Sequence, residues 1–171
     1  MPDLSRRAFL VGSVGLLAAC SSTSSVPRPA GPVSPPQLTT ARIVTAINGV
    51  RQRHGRPPLN YSKRLEDAAR SQAKLMASRD RLSHDLGASL RQRVSAVGYT
   101  GAVGENVAGG QRSLEQAIDG WLASPGHRDT LLSDRCVEFG LAVEAVPAGR
   151  ASRYGLYWAF IAGGDPAAWQ G

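Results

Sequence analysis

The sequence predicts an α+β domain with its helices first and its strands last. Apolar residues recur three and four positions apart in the first half of residues 41–165, which is the period of an amphipathic helix. Towards the end of this range they alternate at every second position, which is the period of a strand. Helices and strands in this order favour a layered α+β architecture over a parallel α/β sheet.

Four helices follow from the helical period and its capping signals. The first covers residues 39–53 with a threonine as its cap, the second covers 62–79, and a short third helix covers 90–96. The fourth is indicated by Ser113 followed three residues later by Gln116, which is the pattern of a capping box.

Three strands are predicted in the second half of the domain. Residues 137–144 alternate between apolar and polar side chains, which indicates a strand with one buried face. The aromatic-rich run 154–161 indicates a mostly buried strand, and the turn between these two runs predicts a hairpin. A weaker strand is expected at 103–107.

The first residues of the chain have the layout of a signal peptide over 1–19. Arg6 and Arg7 form a paired-arginine start of the twin-arginine type, and the apolar run that follows is too short for the roughly 20 residues of a membrane-spanning helix. The run ends in a lipobox-like Leu17-Ala18-Ala19-Cys20. The sequence therefore predicts that Cys20 is lipidated after cleavage, while use of the twin-arginine or the general export route stays open.

Residues 20–40 are rich in Ser and Pro and poor in large apolar side chains, which predicts a disordered tether. A lipid at Cys20 would hold the 41–165 domain outside the cytoplasm at a bacterial membrane. Ser21 favours the outer membrane in a host with two. The formal charge of +7 then favours anionic lipid or cell-wall polymer over nucleic acid as a contact.

Cys136 is the second of the two cysteines in the chain. If Cys20 carries a lipid, no partner is left for a disulfide, and the domain must be stable without one. The apolar neighbours of Cys136 predict a buried small hydrophobe and not a reactive thiol.

Two histidines and a glutamate are the candidate chemical groups. His84 and His127 lie in loop-like contexts and Glu105 lies between them in the sequence, so two imidazoles and a carboxylate could form part of a zinc site with an open position for water. Their separations of about twenty residues do not by themselves bring them together. Each could instead be structural: His84 at a helix end, His127 at the start of a short helix over 127–132, Glu105 at a strand end.

Several ordered motifs resemble the CAP superfamily of cysteine-rich secretory proteins, insect venom antigens and plant pathogenesis-related class 1 proteins, in its short bacterial branch. The resemblance spans about residues 41–163. The motifs, in chain order, are Arg53-His54-Gly55-Arg56-Pro57-Pro58-Leu59, Ser83-His84, Gly98-Tyr99, Gly104-Glu105-Asn106, Gly120-Trp121, Ser124-Pro125-Gly126-His127-Arg128, Phe139-Gly140 and Tyr157-Trp158.

The resemblance implies a three-layer α-β-α sandwich with an open cleft. It implies that His84, Glu105 and His127 line this cleft and can hold a divalent ion, often zinc, with the two histidines as the metal ligands. We count Asn106, next to Glu105 in its motif, among the expected cleft residues, although it could also serve only to fix a turn.

Two departures from the family pattern affect this expectation. The second acidic residue that many members carry on the tryptophan helix is missing after Trp121, and Asp119 would point away from the matching position. The last strand has Ala159 and Phe160 where members usually have Thr and Gln, which suggests that part of the cleft wall is apolar.

Three functions fit the sequence. The first is a tethered module that binds a small apolar or amphipathic ligand such as a lipid or sterol, as the membrane anchor and the apolar wall suggest. The second is a metal-assisted hydrolase of envelope peptide or polysaccharide, with zinc on the two histidines and Glu105 as the general base. The third is a structural envelope protein that contacts the cell wall and has a vestigial cleft.

Overall fold

The computed structural model describes residues 34–169 of the 171-residue chain. The predicted signal peptide, Cys20 and the first part of the predicted tether lie outside the described residues. At the end of the predicted tether, residues 34–39 form no regular element, and Leu38 is partly buried against the core. The domain proper begins with the first helix.

The predicted helices are present, and each begins and ends close to its expected bounds. Thr39 caps the first helix, since its hydroxyl accepts a hydrogen bond from the backbone N–H of Arg42 at 3.2 Å. The helices are α1 (Thr40–Arg53), α2 (Lys63–Arg79), α3 (Leu90–Ala96), α4 (Leu114–Ala123) and α5 (Pro125–Leu132).

The complete capping box lies at α3 and not at α4, where the sequence pattern placed one. At α3, Ser89 and Gln92 each bond the other's backbone N–H. At α4, Ser113 accepts from the backbone N–H of Gln116 at 3.2 Å, but the Gln116 side chain accepts from the N–H of Arg112 at 2.8 Å. The start of α4 was therefore predicted correctly. The capping box was wrong, because the Gln116 side chain bonds the backbone N–H of Arg112 and not that of the cap residue Ser113.

Four strands form one sheet in the order β1-β3-β4-β2. The predicted hairpin is confirmed, since β3 and β4 are antiparallel neighbours, and β2 pairs antiparallel with β4. The two-residue β1, parallel to β3, was not predicted because two residues are too few to show a period. The strands are β1 (Asn60–Tyr61), β2 (Ala102–Gly109), β3 (Glu138–Ala145) and β4 (Leu156–Gly164), followed by a 3₁₀ turn (Pro166–Trp169).

The predicted three-layer α-β-α sandwich is confirmed by the two faces of β4. Trp158, Phe160 and Ala162 belong to a core shared with α1, α4 and α5, whereas the alternate residues belong to a second core shared with α2 and α3. All nine residues of β4 are buried. Among the described residues, the members of both cores lie within 38–162, so a chain that begins at Ser34 retains all of them.

The expectation that β3 has only one buried face was wrong. Gly140 and Ala142, on the face expected to be polar, are buried because α2 packs over them. A Cβ at Gly140 would lie 2.0 Å from the backbone nitrogen of Glu66, so only glycine permits this close approach. Val137, expected inside, is 56% exposed and precedes the strand.

Arg51 fixes α5 to the end of α1 from a fully buried position. Its guanidinium donates to the carbonyls of Pro57 (2.8 Å), Leu131 (2.8 Å) and Ser133 (3.0 Å). Burial lowers the pKa of this guanidinium from its ordinary value. These bonds satisfy the last carbonyls of α5, the helix that carries His127.

The prediction that Cys136 is a buried small hydrophobe is confirmed. Its side chain belongs to the first core, and burial raises the pKa of its thiol above the ordinary value. Within residues 34–169, no helix has both the length and the apolar composition to cross a membrane.

Candidate functional site

The candidate site is built around two adjacent residues of the sheet-edge strand β2. Consecutive residues of a strand point to opposite faces. Glu105 therefore faces α3, and Asn106 faces α5, which contacts β2 closely enough that a Cβ at Gly104 would lie 2.9 Å from a methyl group of Thr130. Side chains of this one strand therefore contact both helical layers next to the site.

Glu105 forms a buried ion pair with Arg93 of α3. A nitrogen of Arg93 lies 2.6 Å from Oε1, and the two side chains are only 1% and 2% exposed. The same arginine donates to the carbonyl of His84 at 3.2 Å and to that of Ala88. Arg93 therefore joins the β2 strand to the loop that carries the first histidine.

His84 contacts the other oxygen of the Glu105 carboxylate. Its Nδ1 lies 3.0 Å from Oε2 and acts as the donor because the carboxylate, ion-paired with Arg93, is the acceptor. The His84 side chain is 56% exposed, so Nε2 on the other side of the ring remains available to a ligand. The amide of Gln72 also bonds the carbonyl of Ser83 and holds the same loop.

His127 reaches the site from the opposite layer. The buried Asn106 donates from Nδ2 to the His127 carbonyl at 2.8 Å, so it holds this residue by its backbone. The centroids of the His84 and His127 rings are 6.2 Å apart, with the planes tilted by 35°. The two imidazoles therefore meet beside β2, although they come from different helical layers.

The two histidines have pKa values shifted in opposite directions. The pKa of His84 is raised above its ordinary 6.5, chiefly by its hydrogen bond to Glu105. The pKa of His127 is lowered from the same value, first by burial and then by the nearby His84. His84 therefore holds a proton more readily than His127 does.

A groove between α1 and α4 is a separate feature on the outer side of one helical layer. It has a volume of about 540 Å³, with the side chains of Ala46, Val50 and Ile118 among its lining. An ion pair of 2.8 Å between Arg42 and Glu115 crosses it from one helix to the other. The remaining lining residues are Ala41, Thr45, Arg53 and Asp119.

Comparison with known proteins decides the family. The sequence profile described as CAP, cysteine-rich secretory protein family, matches residues 44–161, most of the chain. The chain belongs to the CAP family. The matched range lies within the 41–165 domain predicted from the sequence.

One curated relative of this CAP domain comes from Bacillus subtilis. The uncharacterized protein YkwD is 29% identical over 104 residues, which cover 58% of this chain but only 40% of that protein. The chain thus spans well under half of the relative's length.

Three solved structures share the CAP fold. An extracellular protein of Bacillus anthracis with an SCP domain has a TM-score of 0.61 at 24% identity, covering 76% of this chain and 45% of its own. An outer surface protein of Borrelia burgdorferi has a TM-score of 0.62 at 18% identity, covering 77% and 99%. A cysteine-rich secretory protein of Staphylococcus aureus has a TM-score of 0.53 at 23% identity, covering 71% and 37%.

The structure brings together His84, Glu105 and His127, as expected. Asn106, the fourth expected residue, does not face the cleft but holds His127 in place. The side chain of Asn106 is fully buried and donates a hydrogen bond to the backbone carbonyl of His127. Arg93 was missed by the sequence argument, although it occupies a position on the apolar stripe of α3 next to Val94. An arginine in such a stripe signals a buried ion pair.

The expectation that Ala159 and Phe160 form an apolar part of the cleft wall was wrong. Ala159 and Phe160 are both 0% exposed and lie in the two opposite cores. They therefore cannot contact a ligand in the cleft. Asp119 points away from the histidines, as expected, and lines the groove between α1 and α4.

The donor set falls short of a catalytic zinc site. Two imidazoles could each supply a nitrogen, but both oxygens of Glu105 are engaged by Arg93 and His84. Among residues 34–169 no three His, Cys, Asp or Glu side chains are grouped so that they could hold a metal ion. Catalytic zinc normally has three protein ligands, so these residues do not fit one, and zinc stays a prediction of the sequence.

Replacing Arg93 should reveal the buried charge of Glu105. We expect Arg93→Met to lower the free energy of unfolding by about 3–5 kcal/mol, because removal of one partner leaves the other charge buried without compensation. The double variant Arg93→Met/Glu105→Gln should recover part of this loss. Urea unfolding measures both, with Arg91→Met on the exposed face of α3 as the control. A loss no larger than that of the control would contradict the buried ion pair.

The His84–Glu105 hydrogen bond should make stability depend on pH. Because the folded pKa of His84 is raised, its stabilisation is complete below the ordinary value of 6.5 and is lost as the pH rises through the folded value. We expect His84→Gln to lower the melting temperature most below pH 6.5 and progressively less above it. The comparison uses a His127→Gln background, since the lowered pKa of His127 has the opposite effect. A difference that grows with pH would refute the assignment.

Proposed function

We propose that this CAP protein is a lipid-anchored, extracytoplasmic domain that binds an amphipathic molecule with one anionic group. The observation that carries the proposal is the groove between α1 and α4. Membership of a secretory family and the description of the Bacillus anthracis relative as extracellular support the location. The paired-arginine start and the lipobox at Cys20 support the anchor.

The groove suits the apolar part of such a ligand. Its volume of about 540 Å³ lies within the range of about 300–1,000 Å³ that is typical of small-molecule sites. Val50 and Ile118 form a buried apolar floor, and the half-buried Ala46 leaves room above it. An alkyl chain lying here would exchange contact with water for contact with these side chains.

The charged rim suits an anionic headgroup at the Arg53 end. Arg42 is already paired with Glu115, whereas the exposed Arg53 forms no ion pair with a carboxylate of the described residues. A guanidinium can bind a carboxylate or phosphate through two parallel hydrogen bonds. Asp119 is the other charged residue of the rim, so a cationic amphiphile is the natural competitor in a test.

Binding is favoured over hydrolysis by the position of Glu105. The hydrolase alternative needs this carboxylate as a free base, but its side chain is 2% exposed and bonded to Arg93 and His84. The groove, in contrast, is open to a ligand.

Titration with dodecanoate tests the groove. We expect the purified chain from Ser34 to Gly171 to bind dodecanoate, and Ala46→Trp to weaken binding at least about tenfold by filling the groove. The control is Ala96→Trp, on the exposed face of α3 in the other helical layer. Arg53→Gln should weaken dodecanoate binding but not dodecanol binding.

Isothermal titration calorimetry gives these affinities, with circular dichroism as the check on folding. Unchanged binding by folded Ala46→Trp would contradict the groove as the site. Tighter binding of dodecyltrimethylammonium than of dodecanoate would contradict the anionic headgroup. Absence of binding for all three amphiphiles would favour the structural envelope protein.

The anchor is tested separately in a bacterial host. We expect the full-length chain to incorporate labelled palmitate and Cys20→Ser to lose the label, because lipidation needs the cysteine sulfur. Cys136→Ser is the control for loss of a thiol. Label retained by Cys20→Ser, or absent from the wild type, would refute the anchor.

A further inference from the structure

Five basic residues lie on the second half of α2, directly after it, and on the loop between β3 and β4 that packs against its end. Two of them belong to the loop. Arg150 donates to the carbonyl of Ser78 at 2.7 Å over a separation of 72 residues, and the backbone N–H of Arg153 donates to Asp80 at 3.2 Å. Lys74 lies one helical turn before Ser78, on the same face. We call this cluster the basic patch, and its members are Lys74, Arg79, Arg81, Arg150 and Arg153.

Asp80 holds the two halves of the basic patch together. It ends α2 in a left-handed conformation with φ of +48°. Its carboxylate accepts hydrogen bonds from the hydroxyl of Tyr157 at 2.9 Å, from the Ser152 hydroxyl, and from the backbone N–H of Arg153 at 3.2 Å. The loop is thereby fixed on the helix end, and the carboxylate that does so is engaged by hydroxyl and backbone donors.

The basic patch is exposed, and its positive charge is in excess. All five side chains belong to exposed residues, and none forms an ion pair with a carboxylate of residues 34–169. Only Asp80 and Asp85 provide negative charge in the same stretch of α2 and its following loop. Like charges held this close together favour a partner with many negative groups.

An exposed apolar residue directly follows a member of the basic patch in the chain. Leu82, which follows Arg81, is 38% exposed and is one of two large hydrophobic residues so exposed among the described residues. Pro147 and Ala148 of the docked loop are exposed as well. Basic residues interspersed with exposed apolar ones are typical of surfaces that enter the headgroup region of an anionic bilayer. A hydrated polymer would gain nothing from Leu82.

The predicted tether is long enough to allow this contact. Ser34 lies fourteen positions after Cys20, and this stretch can span at most about 45–50 Å. The segment from Pro35 onwards lines the same cavity as Arg70 of α2. From Arg70 to Arg79 the helix rises only about 14 Å. A lipid at Cys20 and the basic patch can therefore reach the same membrane.

We propose that the basic patch docks the domain onto an anionic phospholipid surface. The proposal rests on the extracytoplasmic, membrane-bound location given under the proposed function, but not on the ligand groove. Docking would orient the tethered domain and would place the nearby His84 loop close to the lipid headgroups.

Co-sedimentation of the unlipidated chain from Ser34 to Gly171 with vesicles tests the patch without help from the anchor. We expect binding to vesicles of phosphatidylcholine with one third phosphatidylglycerol, and little binding to pure phosphatidylcholine. Lys74→Glu/Arg81→Glu should lower the partition coefficient at least about thirtyfold, since each basic residue near such a surface contributes roughly a fivefold gain. Leu82→Ser should lower it several-fold.

The matched control is Arg112→Glu/Arg128→Glu, which changes the net charge equally at two exposed residues outside the patch. Retained binding by this control supports the patch, whereas an equal loss would overturn it in favour of net charge alone. Absence of binding to anionic vesicles, or unchanged binding by folded Leu82→Ser together with binding to soluble teichoic acid, would also overturn it. Ala46→Trp should bind vesicles normally, which separates this test from the ligand groove.

Discussion

The candidate site depends on the alternation of a single strand. Because successive residues of β2 face opposite layers, the adjacent Glu105 and Asn106 act on different helices. Glu105 binds Arg93 and His84 in one layer, and Asn106 binds the backbone of His127 in the other. Loss of either partner of the buried Arg93–Glu105 ion pair would leave an uncompensated buried charge and lower the stability of the fold. Because both partners also contact His84, the position of its loop is coupled to that stability.

This coupling makes the two histidines unequal. His84 is bonded through its ring, which raises its pKa and leaves one nitrogen open to solvent. His127 is bonded by Asn106 through its backbone carbonyl, and burial lowers the pKa of its ring. The same hydrogen bonds that position His84 occupy the carboxylate of Glu105. A group that looked like a free base in the sequence therefore serves to orient an imidazole.

The outer surfaces of the two helical layers differ in character. On one side, α1 and α4 leave an open groove with an apolar floor between the Arg42–Glu115 ion pair and the exposed Arg53. On the other side, Asp80 fastens the β3–β4 loop to α2, so that exposed basic residues of the loop and of the helix end lie on the same side of the domain as Leu82. The fully buried strand β4 keeps these surfaces apart, and each can therefore be changed by substitution with little effect on the other.

Local patterns in the sequence determined the helices, the hairpin and the burial of Cys136, because periodicity and caps depend on neighbours within a few positions. The family motifs determined the layered fold and the convergence of His84, Glu105 and His127. Only the tertiary structure could show that Ala159 and Phe160 lie in the cores, that Arg93 neutralises Glu105, and that Arg150 joins the end of α2. These facts depend on which distant residues share a face of the sheet or a loop, and the spacing of residues along the chain carries no information about that.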